Sequence, residues 1–324
     1  MKKEINGQNL ISYIDSIFMV DGEMVPENGE DSYMFSVNEA YGIVGVFDGC
    51  GGLGSRKYAE FGNKSGAYIS SRVVSNTTLE WFGKFTEQEI EFSQNTVNGI
   101  CDELKDGIVD ELKSYEKNTR ASGIKGSMTK SFPTTLSVIL FAVKNAELNS
   151  LYIWAGDSRG FILNASGLAQ ITRDDIETSG DAFDNISDDG VLTNVVSAGG
   201  EFVLRSNIIN CKTKGVLITA TDGCFGYFST PMEFEYMLVR TMVEAASIEE
   251  WQEKIREYIK GYTADDYTLG IVVFGYKSFK KMKKEYSKRC KLLFEKYIKK
   301  LEGAGEKEKK SLWDEYKNNY YRSV

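Results

Sequence analysis

The order in which strand and helix signals arrive is what most constrains the fold of this chain. Apolar, β-branched runs come as neighbours: Ser32–Val37 and Tyr41–Phe47 across Asn38-Glu39-Ala40, then 134–143 and 148–155 across 144–147, with 160–163 close behind. Helical periodicity comes in pairs, 55–82 with 86–117 and 232–243 with Ile248–Lys260. The runs 216–220 and 268–274 are apolar throughout, as buried strands are. A doubly wound parallel sheet needs a crossover helix after nearly every strand. Hairpins and paired helices instead predict an α+β fold, with antiparallel sheet and helices segregated on its faces. The Ser/Gly/Lys-rich stretch 118–131 predicts a loop, and the acidic, weakly periodic stretch 174–189 a mobile excursion.

Charge divides the chain. Residues 277–324 hold 16 Lys and Arg against 7 Asp and Glu, whereas 1–276 hold 23 against 40. An acidic body at 1–276 thus carries a basic extension at 277–324, joined near Phe274-Gly275-Tyr276. In the extension Phe279, Met282, Tyr286, Cys290, Leu293, Phe294, Tyr297 and Leu301 fall at steps of three and four. They predict a helical tail whose apolar stripe docks on its own body or on a partner. Acidic residues interrupt the basic run and the body is acidic, which argues against nucleic acid as a partner. No apolar run approaches the roughly 20 residues of a membrane span. The N-terminus MKKEINGQNLISYIDSIFMV lacks the continuous apolar stretch and cleavage site of a signal peptide. Five scattered cysteines without CxxC spacing fit a reduced, cytoplasmic protein.

The chemistry has to do without histidine, of which there is none. That removes Ser-His-Asp and Cys-His nucleophiles and His-ligated metals. Four apolar runs meet an aspartate instead: Val46-Phe47-Asp48-Gly49, Trp154-Ala155-Gly156-Asp157, Ala220-Thr221-Asp222-Gly223 and Ala264-Asp265-Asp266. One aspartate at a strand end is an ordinary turn residue. Four, three of them beside glycine, predict carboxylates that converge, and converging carboxylates repel unless they titrate or share hard divalent cations.

The glycines after Asp48 match other patterns as well. Gly49-x-Gly51-x-x-Gly54 satisfies the dinucleotide fingerprint, but about 20 residues on, Tyr68-Ile69-Ser70-Ser71-Arg72 lacks the acidic ribose partner. Ser55 stands where a P-loop needs lysine. Cys50-x5-Arg56 imitates the loop of cysteine-dependent tyrosine phosphatases, although Asp48 disfavours a thiolate there.

Taken together, Glu30-Asp31-Ser32, Val46-Phe47-Asp48-Gly49-Cys50-Gly51-Gly52, Thr134-Thr135, Gly156-Asp157-Ser158-Arg159, Thr221-Asp222-Gly223 and Asp265-Asp266-Tyr267-Thr268 resemble, in order, the motifs of the PP2C-type (PPM) metal-dependent Ser/Thr protein phosphatases, bacterial members included. The resemblance spans about residues 10–275. It implies an αββα sandwich of two antiparallel sheets flanked by helix pairs, with two Mn²⁺ or Mg²⁺ ions at one end. By position, Asp48 would bridge both metals and the Gly49 carbonyl would bind one. Asp222 and Asp265 would hold the other, with Glu30 and Asp31 ordering waters and Asp157 resembling a ligand of a third, looser site. The reaction implied is hydrolysis of phosphoserine or phosphothreonine on proteins by a water that the ion pair acidifies, in cytoplasmic signalling opposite a Ser/Thr kinase.

The departures are specific. Cys50 stands where eukaryotic members carry a histidine. The arginine expected shortly before the Glu-Asp motif is missing, since only Lys2 and Lys3 carry positive charge upstream; Arg159 or Arg173 would have to grip phosphate, or the metals alone. Gly226 replaces a further aspartate of the third metal site, and Asp266 the usual asparagine. Residues 174–189 fall where the family places its substrate-selecting flap, and Asp174, Asp175, Glu177, Asp181, Asp184, Asp188 and Asp189 make it acidic enough to seek a basic or metal-dependent neighbour. A catalytically weak binding or regulatory module is the alternative these departures leave open. A two-metal nuclease is disfavoured by the acidic body.

Overall fold

The structure, a computed structural model, describes residues 9–88, 90–119, 131–145, 147–177, 181–187, 190–211 and 214–322. Most of the 118–131 stretch, with Lys2, Lys3, Asp188 and Asp189, lies outside the described residues. Two five-stranded antiparallel sheets stack face to face. One runs β1 (Ile14–Gly22), β12 (Tyr267–Phe274), β11 (Gly215–Ala220), β8 (Arg159–Asn164), β9 (Gly167–Gln170). The other runs β10 (Arg205–Cys211), β7 (Glu147–Ala155), β6 (Leu136–Lys144), β3 (Tyr41–Phe47), β2 (Ser32–Val37). Two short strands, β4 (Lys57–Tyr58) and β5 (Lys64–Ser65), pair apart.

Period-two alternation sends each central strand into two cores at once. In β12, Leu269, Ile271 and Val273 face the helices while Val272 and Phe274 face the other sheet. In β3, Ile43 and Phe47 face helices while Val44 and Val46 meet Val272 and Phe274 in the layer between sheets. A one-residue slip would exchange those faces, and each fully buried side chain is worth about 1.5–3 kcal/mol, so register is firmly set. Helices α2 (Gly66–Phe85) and α3 (Val97–Lys117) cover the second sheet, and α5 (Pro231–Glu244) and α6 (Ile248–Lys260) the first. The result is the αββα sandwich.

Several boundaries differ from expectation. The helix predicted from residue 55 starts at Gly66: Gly62 and Asn63 take left-handed φ of 67° and 60°, and the Ser65 hydroxyl caps the helix by accepting from Tyr68 N–H. Before it stand only α1 (Gly51–Gly54) and the β4–β5 turn. The second helix begins at Val97 rather than 86; Ser93 and Thr96 bond to each other in the intervening turn. Strands β1 and β10 were not foreseen from the pattern. Short α4 (Asp184–Ser187) falls inside the acidic excursion.

The tail is more than one helix. α7 (Phe279–Leu293) runs through a π-helical turn, Phe294–Ile298, into α8 (Lys299–Leu301), and α9 (Glu306–Tyr320) follows. Met282, Tyr286, Leu293, Tyr297, Leu301, Leu312, Trp313, Tyr316 and Tyr320 join the same core as α5, α6 and the first sheet. Phe294, in the predicted stripe, is 38% exposed. Glu235 of α5 is wholly buried, yet Arg289 of α7 grips it with two hydrogen bonds of 2.6 and 2.8 Å and the Tyr316 hydroxyl of α9 donates to it. No helix among the described residues is long and apolar enough to cross a membrane.

Candidate active site

Antiparallel pairing fixes which strand ends coincide. Asp48 follows β3 and Glu30 and Asp31 precede β2, whose Ser32 pairs with Phe47. Asp157 follows β7, whose Ala155 pairs with Leu136, and Val46 pairs with Ser137. In the other sheet Asp222 follows β11 and Asp265 precedes β12, whose Leu269 pairs with Ala220. The two sheets are tied at this end: Thr219 Oγ1 donates to Ser137 O at 2.9 Å, and Thr221 Oγ1 donates to Asp31 Oδ2 at 2.8 Å. Residues 190 positions apart in sequence therefore share one rim.

Backbone and hydroxyl groups set the side chains in place. The Asp48 carbonyl accepts from Thr135 N–H and Thr134 Oγ1, each at 2.7 Å, and Asp48 N–H donates to Thr135 Oγ1 at 3.1 Å. Gly49 N–H donates to Glu30 O at 3.2 Å, and a Cβ at Gly49 would collide with the carbonyls of Ala67 and Glu30, so only glycine lets these segments close. The Ser65 hydroxyl that caps α2 also donates to Glu30. Ser65 was missed from sequence, although a serine opening a helix is a readable signal. Asp266 does not face the site as a cation ligand: its Oδ1 accepts from Met24 N–H and its Oδ2 from Glu30 N–H, both at 2.7 Å. It clamps the 22–30 loop to the start of β12.

The acids raise one another. Burial pushes the Asp48 carboxyl well above its ordinary range, and Asp222, Asp31, Asp157 and Asp265 push it further. Burial and Asp222 lift Asp31 against the pull of its Thr221 hydrogen bond. Asp157 is pushed up to about 8 by burial and then by Asp222 and Asp174, and Asp265 to about 6 by burial and then by Asp222. Glu30 rises mainly through burial. Among the described residues no lysine or arginine pairs with Asp31, Asp48, Asp157 or Asp265, and Asp157 Oδ1 is buried with no hydrogen-bond partner.

The two arginines that the sequence offers for gripping phosphate have other contacts. Arg159, 2% exposed, gives Nε at 2.9 Å and Nη2 at 2.6 Å to Asp174 and lies over the Phe225 ring at 4.2 Å. Arg173 lies over Tyr321, 5.9 Å from the ring centre. Asp175 accepts from Gly156 N–H at 3.2 Å and from Asn194 at 2.6 Å, and pairs with Arg205. The acidic excursion thus has basic neighbours, and its described parts are held at both ends of Gly156-Asp157.

Among the described residues no three Asp, Glu, Cys or His side chains already stand as a cage for an ion. The upward push that each exerts on the next nonetheless places them within electrostatic reach of one another. An all-oxygen donor set with an orphaned buried carboxylate oxygen fits hard divalent ions, which keep several waters and need only one or two protein carboxylates each.

No family model matches the sequence, and no curated protein sequence matches it. Solved structures do. The serine/threonine phosphatase Stp1 from Staphylococcus aureus superposes over 85% of this chain and 99% of its own, with TM-score 0.59 at 16% identity. A bacterial serine phosphatase covers 81% and 98% with TM-score 0.58 at 16% identity. The PPM Ser-Thr phosphatase MsPP from Mycobacterium smegmatis, solved with cacodylate, covers 81% and 99% with TM-score 0.54 at 12% identity. The sandwich is therefore the fold of the PPM serine/threonine phosphatases.

Proposed function

We propose that this protein is a metal-dependent phosphatase that hydrolyses phosphoserine or phosphothreonine on proteins, with 1–276 carrying the chemistry and 277–324 an extension. The observation that carries the reading is the set of carboxylates gathered at one sandwich end, each pushed upward by burial and by its acidic neighbours, on a fold shared with proteins named as serine/threonine phosphatases. Asp48, Asp222 and Asp265 are the residues that would hold two Mn²⁺ or Mg²⁺ ions, with the Gly49 carbonyl beside Asp48, Glu30 and Asp31 orienting waters, and Asp157 at the edge. Bound there, two divalent ions supply positive charge for the phosphoryl oxygens and lower the pKa of an attacking water.

The chain's own part is preorganisation. Thr134 and Thr135 fix the backbone of Asp48, Thr221 fixes Asp31, and Ser65 fixes Glu30, so acids that repel one another need little rearrangement before they bind cations. The hydrogen bonds to Asp31 and Glu30 favour their ionised forms, which are the forms that ligate. Arg159 is committed to Asp174, so phosphate binding falls to charge gathered at the rim. Cys50 is no nucleophile in this reading: it lies beside the acids, and its thiol reaches the Asp48 carbonyl at 3.9 Å.

The test is hydrolysis of para-nitrophenyl phosphate with Mn²⁺, with chelator, and in Asp48→Asn. Loss of turnover by at least about 10²-fold in the variant and in chelator supports the reading, since an electrostatic contact to the transition state is worth that much. Mn²⁺ binding without turnover in the wild type favours the binding-module alternative, to which the missing upstream arginine points.

A further inference from the structure

Residues 181–187 lie between the C-terminal helix and the acidic rim and are fastened on both sides. On the tail side, the Trp313 indole N–H donates to Asp181 Oδ1 at 2.7 Å and Lys310 Nζ pairs with Asp184 Oδ1 at 2.7 Å. Ala182 N–H donates to the Tyr321 hydroxyl at 2.6 Å, and the Phe183 ring stacks on Trp313 with centroids 6.4 Å apart. On the rim side, Asn185 Nδ2 donates to Asp174 Oδ2 at 2.9 Å, the same carboxylate that holds Arg159. Arg159 opens β8, two residues after Asp157, and Asp175 anchors the Gly156 backbone from the other side.

We propose that Trp313, Lys310 and Tyr321 are positioning residues of the active site: they hold 181–185 so that Asn185 keeps Asp174 on Arg159 and fixes the strand end that carries Asp157. The proposal rests on the reading of the acidic rim as the phosphatase site. Its physics is local. The described part of this segment places only Ala182 and Phe183 in a hydrophobic core, and their neighbours there include Trp313, Tyr316 and Tyr320 of the tail. Without those partners the segment would regain backbone conformational entropy. A buried Arg–carboxylate pair is favourable only while its remaining hydrogen bonds are satisfied, and Asn185 supplies one of them. A protein substrate passes over this rim, whereas a small aryl phosphate touches little beyond the acids, so the segment acts on the larger substrate first.

The full-length double variant Trp313→Phe with Tyr321→Phe keeps an aromatic ring at each position and removes the indole donor and the hydroxyl acceptor. Two lost hydrogen bonds of about 1 kcal/mol each predict amide exchange at 181–187 faster by roughly tenfold or more, with β6 and β11 unchanged. A phosphopeptide KM should rise about three- to tenfold, while kcat for para-nitrophenyl phosphate stays within about twofold. Asp181→Asn, which keeps the acceptor for the indole, should behave as wild type. Unchanged exchange at 181–187 overturns the proposal. So does faster exchange with both sets of kinetic constants unmoved, or a parallel loss for both substrates together with faster exchange throughout the body. If the wild-type chain hydrolyses neither substrate, the phosphatase reading fails separately. Exchange at 174–177 in the double variant then decides whether the tail holds the rim: a rise supports it and no change overturns it.

Discussion

Two clusters of acid in this molecule are treated in opposite ways. Glu235 is wholly buried between α5, α7 and α9 and is satisfied by the Arg289 fork and the Tyr316 hydroxyl. Asp157, at the rim, keeps a buried oxygen without a partner, and burial, then Asp222 and Asp174, push its carboxyl up against the weaker pull of Arg159. Burial alone therefore does not distinguish a structural acid from a functional one. Compensation does: a paired carboxylate is part of the architecture, and an unpaired group held by hydroxyls and backbone is arranged for a charge that arrives from outside.

The comparison breaks most visibly at Glu235. Glu235→Ala leaves Arg289, 12% exposed at its side chain, without its counter-charge and should cost about 3–5 kcal/mol, read by denaturant titration, while Mn²⁺ affinity stays unchanged. An equal loss of metal affinity would mean that the two clusters are one system. At the rim the sign reverses. Mn²⁺ at 100 times its dissociation constant should stabilise the wild type by about 2.7 kcal/mol, and Asp48→Asn should raise the metal-free melting temperature while abolishing that increment. A metal-free Asp48→Asn variant less stable than wild type would refute the repulsion.

A pH series sharpens the same contrast. Asp157 and Asp265 have folded values of about 8 and 6 against 3.8 for an ordinary aspartate, so between those limits the folded state binds more protons than the unfolded one. The metal-free protein should then lose stability as pH rises from about 4 to 8, and Asp157→Asn should flatten the upper part of that fall. A melting temperature that climbs over this window would contradict the shifts. The smallest effect belongs to Cys50→Ser, which should leave turnover within about twofold, because a serine hydroxyl can still donate to the Asp48 carbonyl. Complete loss at unchanged metal content would restore the cysteine-nucleophile pattern.

Legibility followed the range of the interaction that made each feature. The β2–β3 and β6–β7 hairpins and α6 were readable because neighbouring residues build them. β1 was not: its partner β12 lies about 250 residues away, and IDSIFMVDG takes its place in the sheet from that partner rather than from its own alternation. β10 hid for a related reason, since RSNIINC pairs on one side only and stays largely polar. At the rim, aspartates at strand ends were visible as a type. Sequence shows Asp266 as a carboxylate beside Asp265 but not that its oxygens face the Met24 and Glu30 amides.

The sequence by itself determined the hairpins, the paired helices, the ban on imidazole chemistry and the oxygen-only donor set, because each is a property of residue types or of segments a few residues long. Only the tertiary structure decided that Arg159 is spent on Asp174, that Asp266 is a loop clamp, and that α9 packs on 181–185. Those are choices among partners distant in the chain. Burial and charge settle them only when the whole sandwich has closed and each polar atom has either found a neighbour or been left without one.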